Sequence, residues 1–147
     1  MKFTCSSQID LPIEKVLELY QNQDNLKLWH TGFVSKELIK GLPGVTGTKS
    51  KIIYHNNNNV IELIETILPS ESKNVFVALY EHKHMINTMT SRFSKLAPNK
   101  TQLDLEIHYT KFIGIIPKLM ALIFPGVFKK QTQKMVDNFK IYAERDS

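Results

Sequence analysis

The sequence is poor in cysteine, in arginine and in unbroken apolar stretches, and each shortage excludes something. Its single thiol, Cys5, rules out an internal disulfide framework and any zinc site built on several cysteines. That economy suits a reducing compartment, so a cytoplasmic location is expected. The formal charge of +5 rests on 17 lysines and only 2 arginines, with the lysines scattered along the whole chain. Nucleic-acid binders cluster their basic residues and use the bidentate guanidinium, so this basicity reads as solubility and no nucleic-acid partner is expected. A weak attraction to anionic surfaces stays open. Met1 to Ser7 lacks the apolar region of about 7 to 15 residues that a secretory signal needs. The most apolar stretch, Ile113 to Phe128, carries Lys118 and two prolines and is too short to span a bilayer.

What is present is a strong periodicity near the end of the chain. From Gly114 to Arg145 the apolar positions Ile116, Leu119, Met120, Ile123, Phe124, Val127, Phe128, Met135, Val136, Phe139 and Tyr142 follow a repeat close to 3.6, which predicts one long amphipathic helix or two in tandem. Pro125-Gly126 should bend or break it, because proline removes a backbone hydrogen bond and disfavours helical geometry at Phe124. A segment from Pro117 to Phe124 could then act as a hinged lid, with a rigid kink as the plainer alternative.

The 147 residues fit one domain, 1–147, with one substantial core. Residues 2 to 9 alternate as a half-buried strand, with Phe3, Cys5, Ser7 and Ile9 inward. Pro12 opens a short helix carrying Ile13, Val16, Leu17 and Tyr20, and Asp24 is expected to cap a second short helix that includes Leu26 and Trp29 and ends near Gly32. Six strands follow: 33–40, 48–55, 60–68, 74–82, 85–96 and 101–112. The links are short and the four asparagines 56–59 tolerate positive φ, so the strands should pair as an antiparallel meander. The last strand sets Leu103, Leu105, Ile107 and Tyr109 against Gln102, Asp104, Glu106 and His108. Its apolar face should meet the long helix in an α+β fold.

Several motifs invite a chemical reading and also have a plainer one. Gly41 to Ser50 mixes glycines with Gly47-Thr48-Lys49-Ser50, but Thr48 separates glycine from lysine and a strand follows, so it is a turn and not a phosphate loop. His82 and His84 could share a face as a metal pair, yet no third ligand is evident and a solvated turn explains them; no metal is expected. His55 and His108 stand alone on wet faces, and Cys5 reads as a buried mid-strand thiol. Glu62 and Glu65 lie in an otherwise apolar strand at odd separation, so one carboxylate should point inward, either as an acid or base or paired with a lysine or hydroxyl. The set Trp29, Tyr54, Tyr80, Met89, Phe93, Tyr109, Met120, Phe124 and Phe128 reads as core. Because inward positions also include Tyr, Thr, Ser and Asn, the same set is the candidate lining of a ligand cavity.

The order and spacing of these elements resemble the START-like, or helix-grip, superfamily (SRPBCC), which includes polyketide cyclases, lipid-transfer domains, the birch-pollen-allergen family and coenzyme Q-binding proteins. The matching pieces are the first strand running into Ile9-Asp10-Leu11-Pro12 and Val16, the short helix ending at Trp29, and Gly41-Leu42-Pro43-Gly44 with Gly47-Thr48. Glu65-Thr66-Ile67 and Asn138-Phe139-Lys140 with Tyr142 and Glu144 complete the match. The resemblance implies a curved antiparallel sheet of about seven strands gripping the last helix around a hydrophobic cavity, with two short helices after the first strand. The enzymes of that superfamily do not share one catalytic signature, so no catalytic residue is assigned, and no cofactor is expected. It implies binding or transport of a hydrophobic or amphipathic molecule such as a lipid, quinone or polyketide, with transient contact to a membrane surface left open. The alternatives are a cyclase or dehydratase using the same cavity, and a co-chaperone-like interaction module with a filled core. Oligomeric state is not predicted.

Overall fold

The computed structural model describes residues 1–145. Seven strands, β1 (Lys2–Ile9), β2 (Phe33–Lys40), β3 (Lys49–Asn56), β4 (Asn59–Leu68), β5 (Val75–Glu81), β6 (Met85–Ala97) and β7 (Lys100–Phe112), form one antiparallel sheet in the order β1-β7-β6-β5-β4-β3-β2. Helix α1 (Ile13–Gln21) and a 3-10 helix (Gln23–Leu28) link β1 to β2, and α2 (Ile115–Ile123) and α3 (Pro125–Arg145) close the chain. The sheet is thus a meander from β2 to β7, to which β1 is added at the far edge.

Turn chemistry explains the register. Asn57 and Asn58 take positive φ of 47° and 70°, the two-residue turn whose twist suits a hairpin, and they set β3 against β4. Gly32 is indispensable at the start of β2: at φ +78° a Cβ there would stand 2.2 Å from the His55 carbonyl oxygen. That close approach lets His55 N–H donate to Gly32 O at 2.8 Å and carries the Trp29–His30 segment over the end of the sheet. The second short helix is 3-10 rather than α, and its cap is Asn22, whose side chain accepts from Asp24 N–H, not Asp24 itself. Asp24 lies inside the first turn, two residues past the cap, so it supplies the N–H that the Asn22 side chain satisfies.

Cross-strand pairing identifies the inner face. Ser50, Glu65, Tyr80, Asn87 and Tyr109 lie in one row across β3, β4, β5, β6 and β7, and Phe76, Ser91, Leu105 and Cys5 lie in another. Leu103, Leu105 and Ile107 are buried, and Tyr109 packs against Phe128 of α3 at 5.2 Å, so the apolar face of β7 does meet the last helix. Val136, Phe139, Tyr142 and Ala143 are the face that α3 contributes to the same core. Among the strands α3 approaches β1 most closely, and its polar side chains satisfy that strand's edge. Gln133 donates to Ser6 O at 3.0 Å, Lys140 donates to Gln8 O, and Glu144 accepts from Asp10 N–H at 2.9 Å.

The C-terminal periodicity resolves into two helices. Phe124 leaves helical geometry at φ −124°, ψ 53°, and Pro125 opens α3 instead of interrupting it. The expected bend or break at Pro125-Gly126 is thus a break at Phe124 between two helices. Leu105 is 1 % exposed in the middle of the core. Replacing it by Ala should lower the unfolding free energy in urea by about 2 to 5 kcal/mol, and a midpoint within error of the parent would contradict this placement.

Candidate ligand-binding site

The inner face of the sheet divides into two parts. Near β1 and β7 it is dry, with Cys5, Leu103, Leu105 and Ile107 packed under Val136 and Phe139. On β4, β5, β6 and the C-terminal end of β7 the inward residues Leu63, Tyr80, Asn87, Met89 and Tyr109 are only half-buried, although they point to the same side as the core. This second part carries a polar cluster. Parity places Glu65, not Glu62, inward: Glu65 is 7 % exposed, whereas Glu62 is solvated and faces Lys51. Tyr80 donates to Glu65 Oε2 at 2.7 Å and Lys36 Nζ stands 2.8 Å from Oε1, while Lys36 also donates to Gln23. A buried carboxylate held by an ammonium and a phenol is anchored at both oxygens.

Two further tyrosines border the cluster. Tyr20 of α1 shares a hydrogen bond of 2.6 Å with Ser91 and lies among Trp29, Phe76, Phe93 and Phe139. Tyr54 on β3 meets His30 Nδ1 at 2.8 Å. Burial pushes the Tyr20 hydroxyl up to about 12, the Glu65 charge adding to the rise against the Ser91 bond, and burial with the Glu65 charge pushes Tyr54 and Tyr80 well above the ordinary phenol range. All three stay protonated and can act as neutral donors. Burial, reinforced by the Lys36 charge, lowers His30 to about 4, so its imidazole is neutral near pH 7. His30 Nε2 and the neighbouring Trp29 Nε1 are buried without a hydrogen-bond partner among the described residues.

The nine predicted lining residues separate into groups. Tyr54 and Tyr80 border the polar cluster, Met89 lies in the next row opposite Ala78, and Trp29 and Phe93 join the cluster through Tyr20. Tyr109 and Phe128 form a second aromatic group with Phe112, at ring distances of 5.2 to 5.7 Å. Met120 lies apart on α2 at the surface, and Phe124 is exposed just after that helix, at the break before α3. Two clefts open outward. One of about 420 Å3 runs between 27–32 and the end of α3, and one of about 280 Å3 lies under α2 against Met85, Met120 and Phe128. His30, Lys36, Tyr20 and Asn87 were not singled out from sequence. Lys36 was hidden because two register shifts in β2 destroy its alternation, whereas His30 carried a signal in its position directly after the one tryptophan. His82 and His84 share the β5–β6 turn, and no group of three or more metal-ligating residues occurs among the described residues.

No protein-family model and no curated protein sequence matches the chain. Solved structures do. The protein TTHA0849 from Thermus thermophilus superposes with a TM-score of 0.79 at 15 % identity, over 100 % of this chain and 99 % of that one. The Zhui aromatase/cyclase from Streptomyces sp. R1128 gives 0.79 at 11 % identity, over 99 % and 94 %. A START superfamily protein from Mycobacterium smegmatis gives 0.77 at 9 %, over 99 % of each chain. At these identities the likeness is one of fold. The chain has the START-like helix-grip fold that its sequence resembles.

His30 makes the site pH-sensitive in a defined direction. Its folded-state value lies below the unfolded 6.5, so the unfolded chain binds the extra proton first, and stability present above about pH 6.5 is lost as pH falls toward 4. The full effect is on the order of 3 kcal/mol. Urea midpoints measured across that window should fall less steeply for His30→Gln than for the parent, and parallel profiles would show that His30 is not the buried neutral group described.

Proposed function

We propose that the chain binds a hydrophobic or amphipathic small molecule, of the lipid, quinone or polyketide kind, in the hollow between β3–β6 and α3. The observation that carries this reading is the state of Tyr80. It lies on the inner face of the sheet and donates to the buried Glu65 carboxylate at 2.7 Å, yet the residue is only half-buried. An inward tyrosine that is only half-buried beside a buried carboxylate supports reading this part of the sheet as the wall of a ligand space. The lining suits an amphipathic occupant: Met89, Phe76 and Leu63 present hydrocarbon, while Tyr80, Asn87 and the Lys36–Glu65 pair offer hydrogen bonds to a polar end. Of the nine residues expected from sequence, Trp29, Tyr54, Tyr80, Met89 and Tyr109 are the ones proposed to border this space, Phe128 its approach and Phe93 its support, while Met120 and Phe124 stay outside it. Transient contact with a membrane surface would be the means of loading.

One observation favours a second reading. Glu65, anchored 2.7 Å from a protonated phenol, is an acid–base pair inside the same space, as a cyclase or dehydratase would need. Native mass spectrometry of the purified protein addresses the binding reading directly. An apolar molecule should accompany the folded chain, and Asn87→Trp, which fills the row beside Tyr80, should weaken its retention by about tenfold or more. Absence of any bound molecule, with every added lipid, quinone and polyketide probe failing to bind, would overturn it. Chemical change in the probe during incubation, lost in Glu65→Gln, would select the enzyme.

A further inference from the structure

Helix α2 is the part of the molecule that the ligand hollow does not explain. It has nine residues, Ile115–Ile123, and none of them is buried. Ile115, Ile116 and Leu122 are 80 %, 76 % and 80 % exposed, and Leu119, Ile123 and Phe124 are more than half exposed. A helix this short is marginal in water without a partner surface. Among the described residues its main contacts are with the adjacent parts of α3 and β7, and it stands over the 280 Å3 crevice instead of closing it. Both ends are joints: Gly114 has φ +96° with no side-chain cap, and Phe124 breaks the path into α3.

The charge around α2 indicates what would cover it. Between Glu106 and Asp137 the chain carries five lysines, Lys111, Lys118, Lys129, Lys130 and Lys134, and no carboxylate. All five are exposed. The β5–β6 turn lies at the same end, since Ile113 N–H donates to the His84 carbonyl at 2.7 Å and His84 lines the crevice. An apolar helix within a wholly basic stretch matches the layered chemistry of an anionic bilayer, hydrocarbon below and negative headgroups above. We infer that α2 is a docking element that lies in the interface of a membrane rich in anionic phospholipid, with its isoleucines and leucines among the acyl chains and the lysines on the headgroups. At nine residues α2 is about 14 Å long, so it lies on the bilayer and does not cross it. Attraction to headgroups supplies the selectivity, and apolar burial supplies the hold.

Flotation of the full chain with phosphatidylcholine vesicles, with and without phosphatidylglycerol, tests this. The parent should float with the anionic vesicles, and added salt should weaken its binding. Ile115→Glu with Leu122→Glu should lower that binding at least about tenfold, as should Lys118→Glu with Lys129→Glu and Lys130→Glu. These side chains are solvent-exposed, so melting temperatures should match the parent and flotation reads docking rather than folding. Failure to float with either vesicle, equal flotation with both, or variants that float like the parent would overturn the inference. Sedimentation showing a concentration-dependent dimer that Leu122→Glu dissolves, with no vesicle binding, would assign the face to a second copy of the chain instead. The outcome is independent of the interior ligand, which the mass measurement reads separately.

Discussion

One helix cannot cover a seven-stranded sheet. Six inter-strand spacings make the sheet about 29 Å wide, and a helix with its side chains is about 10 to 12 Å across. Placing α3 along β1 and fixing it there through Gln133, Lys140 and Glu144 commits it to one edge. The inner faces of β3, β4 and β5 are then left to α1, to the Trp29–His30 segment and to whatever else fills the space. The aromatic contacts of Tyr20 with Trp29, Phe76, Phe93 and Phe139 are how the short helices bridge from α3 toward the middle of the sheet. Beyond that bridge the polar row begins, and the half-buried side chains with it.

The polar row is costly unless it is organised. A carboxylate taken out of water loses several kcal/mol of hydration, and pairing restores this only with good geometry and additional hydrogen bonds. Glu65 has both, through Lys36 and Tyr80, and Lys36 is in turn fixed by Gln23 from the 3-10 helix. The same contacts therefore tie the far edge of the sheet to the connection between α1 and β2. Charges held this way are pre-oriented, and a ligand's polar end would meet donors and acceptors that need not rearrange. The neutral His30 and the raised tyrosines follow from the same burial: the site is electrostatically quiet except for one ion pair.

Much of this was legible in the sequence because the periods are strict. The alternation of Leu103 to Tyr109 identified the face of β7 correctly, and the parity of Glu62 and Glu65 required one inward carboxylate. Parity alone could not say which, since that depends on Tyr80 and Lys36, two strands that meet β4 or its neighbour only in three dimensions. Lys36 was illegible for a second reason, the register shifts in β2. Pro125 marked a break, but only the geometry at Phe124 shows proline beginning a new helix. The extreme exposure of α2 could not be read from its apolar composition, which looks the same in a core helix.

The central claim is that the space beside Tyr80 is a hollow with an apolar lining. Methyl-labelled methionine and a long-chain fatty acid probe test it by nuclear magnetic resonance, because Met89 lies on the inner face across from Ala78 whereas Met120 lies outside on α2. Such a hollow predicts intermolecular Overhauser contacts from the acyl chain to the Met89 methyl in the saturated complex. Contacts confined to Met120, with Met89 unshifted at saturation, would place the ligand on the surface and contradict it.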